Sequence, residues 1–212
     1  MRIEFFFDCS SPYTYLAFEN IQPLAAEFGA EIVWRPILVG GVFNQVNQGI
    51  EFFKQIAAGT MPQRKIDYMI KDFADRARVA GVRLNFPPTG HPVNSVKVMR
   101  GCILLEPEGK LIPFARAAFE AYFGDNRLLS DDAVIADLCR KVDVDPEWLL
   151  KRVAEQDLKD ALRVNVDELI ARGGYGSPTY YLDGDDMYFG DDRLPLLRHA
   201  MERKRAREAS PA

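Results

Sequence analysis

Cysteine and histidine are scarce in this 212-residue chain, which has three of the first (Cys9, Cys102, Cys139) and two of the second (His91, His199). No two cysteines are spaced as a C-x-x-C redox pair or as metal ligands, so no metal site is assigned and zinc hydrolase chemistry is disfavoured. The odd, scattered set fits a reducing, cytoplasmic compartment. No stretch approaches the roughly 18 uninterrupted apolar residues of a membrane span. The apolar run at residues 2–7 is too short, and too closely flanked by Glu4 and Asp8, for a secretory leader. An excess of positive charge is also missing. Against 31 Asp+Glu stand 27 Lys+Arg, a net charge of −4, which provides no basic field to condense on nucleic-acid phosphates. Neither membrane nor nucleic acid is expected as a partner.

What is present is ordinary core material. With 48% hydrophobic and 27% charged residues, the composition is that of a folded globular protein. The length allows one large domain or one domain carrying an insertion. Residues 2–7 are apolar and aromatic without helical period, predicting a buried strand. Ser11 near an N-cap and Pro12 in the first turn then open a helix, whose face is Leu16, Ala17, Ile21, Leu24, Ala25 and Phe28 and whose stop is Gly29. Residues 31–38 predict a second strand, parallel to the first through a right-handed crossover. Residues 40–60 contain four glycines among polar residues and predict a long binding loop.

From Thr60 the pattern is helical, with Thr60-x-x-Gln63 as a capping box and Ile66, Met69, Ile70, Phe73, Ala77 and Ala80 on one face before Gly81. Further helices are predicted at about 94–105, 113–123, 131–142, 146–155 and 158–172, with Asn94, Ser130 and Asp145 as N-caps. Strands return at 179–182 and 187–189 as a hairpin, followed by a last helix at about 192–205. Its basic end, from Arg203 to Arg207, is expected to be a solvated helix terminus. The order β-α-β, helices, β-β-α predicts an α/β fold. It is a thioredoxin-like core (1–59 and 173–212) interrupted by an all-helical insertion (60–172).

Three segments carry chemistry. Asp8-Cys9-Ser10-Ser11-Pro12-Tyr13 lies at the turn into the first helix, whose unpaired N–H groups and partial positive charge stabilise an anion. Redox members of such a fold need two cysteines there. This chain has Ser11 and Thr14, which argues against thiol-disulfide exchange by its own residues. Gly176-Ser177-Pro178-Thr179 precedes a strand, and a cis Pro178 would leave the Ser177 backbone free to pair with a peptide-like ligand. Asp191-Asp192 heads the last helix, where two carboxylates suit the dipole and could also receive an ammonium group. A phosphatase of the haloacid dehalogenase type would also end a strand in aspartate, as at Asp8. That chemistry wants a second acid where Ser10 stands.

Asp8-x-x-Ser11-Pro12-Tyr13-x-Tyr15-Leu16, Arg35-Pro36-x-Leu38-x-Gly40, Lys65-x-x-Tyr68-Met69-x-x-Asp72, Pro92-Val93-Asn94-Ser95, Gly176-x-Pro178-Thr179 and Gly190-x-Asp192-Arg193-Leu194 together resemble the 2-hydroxychromene-2-carboxylate isomerase family. That family is close to kappa-class glutathione transferases and lies within the DsbA-like group. The resemblance implies glutathione as cofactor. Ser11 would be the catalytic serine, hydrogen-bonded to the glutathione sulfur, with Pro12 and Tyr13 lining the same corner. Ser177, before Pro178, would pair with the cysteinyl backbone, and Asp191 with Asp192 would hold the γ-glutamyl end. Asn47 is matched to a loop asparagine that touches the tripeptide, although Val46-Asn47-Gln48-Gly49-Ile50 departs from the expected Gly-Asn-x-x-Pro. Lys65, Tyr68 and Asn94 are candidates for the substrate, a small aromatic carboxylate. The implied reaction interconverts 2-hydroxychromene-2-carboxylate and trans-o-hydroxybenzylidenepyruvate. A kappa-like transferase and a non-catalytic binding module are the alternatives, and a homodimer is compatible with the chain.

Overall fold

The computed structural model describes residues 1–47 and 59–208. Strand β1 (Arg2–Phe7) is the centre of a four-stranded sheet ordered β2-β1-β3-β4. It pairs in parallel with β2 (Glu31–Pro36) and antiparallel with β3 (Thr179–Leu182), which forms a hairpin with β4 (Asp186–Phe189). Because β1 is covered on both faces, its sequence shows no polar alternation. Phe5, Phe6 and Phe7 are all fully buried, each worth about 1.5–3 kcal/mol relative to exposure.

The pleat sends Ile3, Phe5 and Phe7 to one face, where helix α1 (Pro12–Phe28) and helix α9 (Leu194–Glu208) cover them. Trp34 of β2 meets Phe5 and Phe7 edge-on at 5.5 and 5.7 Å. Phe6 points the other way, into a smaller cluster with Ile37, Val42, Val166, Leu169 and Tyr181. On that second face sits a charge, Glu4. Arg35 donates to it at 3.0 Å and Arg172 at 3.1 Å, and Arg172 also stacks over Tyr181 at 3.8 Å. Burial pushes the Glu4 carboxyl up, but these two guanidiniums more than offset it and hold it below the usual range.

Where the sequence predicts a loop from residue 40, the chain forms a short helix, α2 (Val39–Val42), continued by a π turn (Phe43–Asn47). Gly40 and Gly41 signalled a loop, yet Val42 and Asn47 are buried and fix these turns against the core. The remainder of that predicted loop, 48–58, lies outside the described residues.

Helix α3 (Gln63–Ala80) begins after Pro62 without a side-chain cap, so the Thr60–Gln63 capping box does not form. Gln63 reaches forward to Asp67 instead, and Gly81 terminates the helix in the left-handed conformation as predicted. Helices α4 (Val96–Leu105), α5 (Leu111–Phe119, extended by a π turn at Glu120–Gly124), α6 (Asp132–Lys141), α7 (Pro146–Arg152) and α8 (Gln156–Ala171) follow. Asp145 caps α7 as expected. Ser95 and Asp131 occupy the cap positions assigned to Asn94 and Ser130, a shift of one residue each. The basic end of α9 lies on the surface, with Lys204 paired to Asp183 and Arg205 over Phe28.

The helices between β2 and β3 share one apolar core with the sheet. Tyr15 of α1 stacks on Phe119 of α5 at 4.9 Å, and Phe18 meets the same ring at 5.2 Å. The fold is thus a thioredoxin-like α/β sheet interrupted by an all-helical stretch, as predicted.

Candidate functional site

The site forms where β1 ends. The chain turns through Asp8-Cys9-Ser10 and enters α1, with Ser11 as N-cap in extended conformation and its Oγ accepting from Thr14 N–H at 3.3 Å. Pro12 sits at N1, where it has no N–H to waste. The first N–H groups of α1 therefore point out past a partly exposed Ser11 hydroxyl, an anion-binding geometry.

Opposite lies the turn before β3. Its Ser177–Pro178 bond is cis, as predicted. Among the described residues the backbone N–H and C=O of Ser177 pair with no other backbone group. The Ser177 side chain is fully used. Its Oγ accepts from Asp8 N–H at 3.2 Å, lies 3.4 Å from the Phe6 carbonyl and 2.7 Å from Thr14 Oγ1. With only one proton to give, Ser177 donates to the carbonyl and Thr14 donates to Ser177. This hydroxyl pair fastens the cis-proline turn to the first turn of α1.

Asp8 heads the first segment singled out in the sequence, but its role there was not legible. It is 1% exposed. Oδ1 accepts from Ser10 N–H at 2.9 Å and from Ser95 Oγ at 2.7 Å, and Oδ2 accepts from Val39 N–H at 2.8 Å. One carboxylate thus gathers the starts of α1, α2 and α4. Burial raises its pKa although all three bonds favour the charged form. Nothing local in Phe7-Asp8-Cys9 announces donors 31 and 87 residues away. Behind it, Cys9 is fully buried and its thiol is pushed well above its ordinary value by desolvation and by neighbouring Cys102. A thiol so placed is no nucleophile.

Tyr13 leans over the same end of α1, its ring 4.7 Å from Phe73 of α3. Close by, Asp191 and Asp192 form a single 3-10 turn leading into α9. Neither carboxylate stands alone. Arg76 Nη1 donates to both oxygens of Asp191 at 2.9 and 2.8 Å, and Asp192 is paired with Arg193 at 2.6 Å. Burial still pushes the Asp191 carboxyl up, with Asp192 adding to the rise. Beneath them the fully buried Tyr180 hydroxyl has no hydrogen-bond partner among the described residues, and burial and both aspartates raise its pKa.

Asn47 is brought to this end of the molecule. It is buried and donates from Nδ2 to the Tyr175 carbonyl at 2.5 Å, two residues before Ser177. The following positions of that motif, Gln48 to Ile50, lie outside the described residues. Lys65 and Tyr68 are exposed on α3, and among the described residues no hydrogen bond or ring contact ties them to Ser11, Ser177 or Asp191. Asn94 accepts from Val96 N–H at 3.0 Å and lines a separate cavity of about 180 Å³ with Lys97, Arg100 and Ser130. Among the described residues no group of three or more His, Cys, Asp or Glu could hold a metal ion, and no helix is long and apolar enough to cross a membrane.

The arrangement brings the α1 N-terminus with its Ser11 cap and the cis-proline turn at Ser177 together in one corner, joined through the Thr14 and Ser177 hydroxyls. Comparison with known proteins agrees with the architecture. The profile of the DSBA-like thioredoxin domain matches residues 2–202. The 2-hydroxychromene-2-carboxylate isomerase of Pseudomonas putida is 26% identical over 209 residues, covering 96% of this chain and 95% of its own. Glutathione S-transferase kappa 2 of Caenorhabditis elegans is 27% identical over 208 residues, covering 92% and 89%. A solved 2-hydroxychromene-2-carboxylate isomerase superposes with a TM-score of 0.80 at 26% identity, covering 99% of this chain and 98% of that one. The chain belongs to the DSBA-like thioredoxin domain family, and within it is related to both the hydroxychromene-carboxylate isomerases and the kappa-class glutathione transferases.

Proposed function

We propose that the protein is a glutathione-dependent isomerase that interconverts 2-hydroxychromene-2-carboxylate and trans-o-hydroxybenzylidenepyruvate, or a close aromatic relative. The observation that carries this reading is the pairing of Ser11 at the α1 N-terminus with the cis-proline turn at Ser177, in a corner whose own cysteine is buried. Such a corner must borrow its thiol. Glutathione would lay its cysteinyl backbone along Ser177. The Ser11 hydroxyl would donate to the sulfur, and with the helix dipole would favour the thiolate.

Bound there, glutathione would supply a thiolate able to add reversibly to the conjugated carbon chain of the ring-opened substrate, the C–S bond forming as the π pair moves onto the conjugated carbonyl and breaking as it returns, so that the double bond could change geometry with the thiol given back. Ser11 would tune that nucleophile through its hydroxyl and would not become one.

The transferase reading differs only in the fate of the adduct, and the kappa-class relative at 27% identity supports it equally. Following isomerisation of hydroxychromene carboxylate by absorbance, with and without glutathione, tests the proposal. The expected result is turnover that depends on catalytic glutathione with no net thiol consumed. Activity indifferent to glutathione would reject the mechanism. A stable glutathione conjugate detected by mass spectrometry would move the assignment to the transferase.

A further inference from the structure

Arg76 is the centre of a cluster that the functional reading leaves unexplained. Its Nε is held by Asp72 Oδ2 at 2.8 Å, one turn earlier on α3, and its Nη1 by both oxygens of Asp191 across the boundary between the helical stretch and the sheet domain. Its Nη2 makes no hydrogen bond among the described residues. The Asp191 side chain is only 9% exposed and Arg76 covers it, whereas the Asp192 side chain is 48% exposed. Tyr13, next but one to Ser11, lies in the electrostatic field of Arg76, Asp72, Asp191 and Asp192 together.

A ligand arriving here therefore does not meet two free carboxylates. It meets two unused N–H groups of a guanidinium fixed at two of its three nitrogens, and one accessible carboxylate. That pattern complements an α-amino acid head group, with carboxylate on the guanidinium and ammonium on the aspartate.

We propose that Arg76 binds the α-carboxylate of the γ-glutamyl end of glutathione through Nη2, that Asp192 receives the ammonium, and that Asp191 and Asp72 are positioning residues for Arg76. This rests on the glutathione reading and reassigns Asp191 within it. A guanidinium already anchored by two carboxylates loses little freedom on binding a third, so its selectivity comes from preorganisation.

The test is isothermal titration of two probes, glutathione and 4-aminobutyryl-cysteinylglycine, which is glutathione without that α-carboxylate. The wild-type protein should prefer glutathione. Arg76→Met should weaken glutathione roughly 10- to 100-fold, the worth of a charge-assisted contact, and leave the decarboxylated probe within about 2-fold. Asp191→Asn should reduce the same preference, because it acts only through the guanidinium.

Arg76→Met strands a covered carboxylate, so Arg76→Met/Asp191→Asn serves as the fold-safe variant. It too should fail to distinguish the probes. If either Arg76 variant keeps the wild-type preference, or weakens both probes alike, the assignment of Arg76 is overturned while the glutathione reading stands. If the wild-type protein binds neither probe, both fall.

Discussion

Ser11 and Asp8 lie three residues apart and have opposite relations to the sequence. Ser11 was legible because a serine before proline at a strand-helix junction has few structural uses besides capping, and the cap is observed. Replacing it by alanine should cost about 1 kcal/mol of stability for the lost cap. If Ser11 donates to the glutathione sulfur as proposed, the change should also cost roughly 10- to 100-fold in kcat/KM. Denaturant unfolding and the isomerisation assay, run side by side, would separate the two, and equal rates would remove Ser11 from the mechanism. Asp8 was not legible, since all of its side chain's distant partners are set by tertiary folding. Asp8→Asn should destabilise by about 1–3 kcal/mol, because the amide turns a donor toward Val39 N–H where an acceptor is needed. The pH dependence has a definite sign. Burial raises the folded-state pKa above the usual 3.8, so the protonated form favours folding. This contribution is complete below pH 3.8 and is lost as pH rises through the folded value. The stability gap between wild type and Asp8→Asn, measured by urea unfolding at each pH, should therefore narrow as pH rises through that window. A flat gap would mean that Asp8 does not titrate differently in the folded state.

At the scale of elements, long periodic segments were placed well and their beginnings less so. Helix α1 runs from Pro12 to the left-handed Gly29 because proline and glycine punctuate both ends. The cap positions fall one residue late, at Ser95 and Asp131. Asp131 takes the Ala133 N–H itself, whereas the Ser95 hydroxyl is spent on Asp8 and the Asn94 side chain still accepts the Val96 N–H. Segment 40–47 was misread for a different reason. Its two glycines weaken helix propensity, but Asp8 captures the first N–H of α2 and burial of Val42 and Asn47 decides the conformation. Contacts between helices were invisible in the sequence. Gly101 of α4 allows Phe114 of α5 so close that an added Cβ would lie 2.8 Å from its ring. Gly101→Ala should therefore destabilise by about 1–3 kcal/mol through overpacking, offset in part by about 1 kcal/mol of helix propensity. A denaturation midpoint higher than wild type would show that the Phe114 ring yields.

For the whole molecule, the order of elements sufficed for the fold class, because β-α-β followed by β-β-α around helices admits few arrangements. The union of the two parts into one core was not visible. It depends on Tyr15 and Phe18 meeting Phe119, a hundred residues away in the chain. Held as proposed between Arg76 and Ser177, glutathione would bridge these parts as well. Saturation with glutathione at about 100 times its Kd should then stabilise the fold by about 2.7 kcal/mol. That corresponds to a rise in Tm of roughly 5–10 °C for a chain of this size. Differential scanning calorimetry would check it, and an unchanged Tm would argue against binding. The sheet itself carries a consequence for synthesis. β2 follows β1 after a single helix, but the other edge of β1 must wait for β3, where Phe6 meets Thr179. At about 5–20 residues per second that wait lasts roughly 10–35 s. Throughout it, three consecutive phenylalanines occupy an open strand edge, the kind of segment that pairs with a stranger. The nascent chain is therefore most exposed to aggregation on the ribosome, before its own hairpin arrives to shield it.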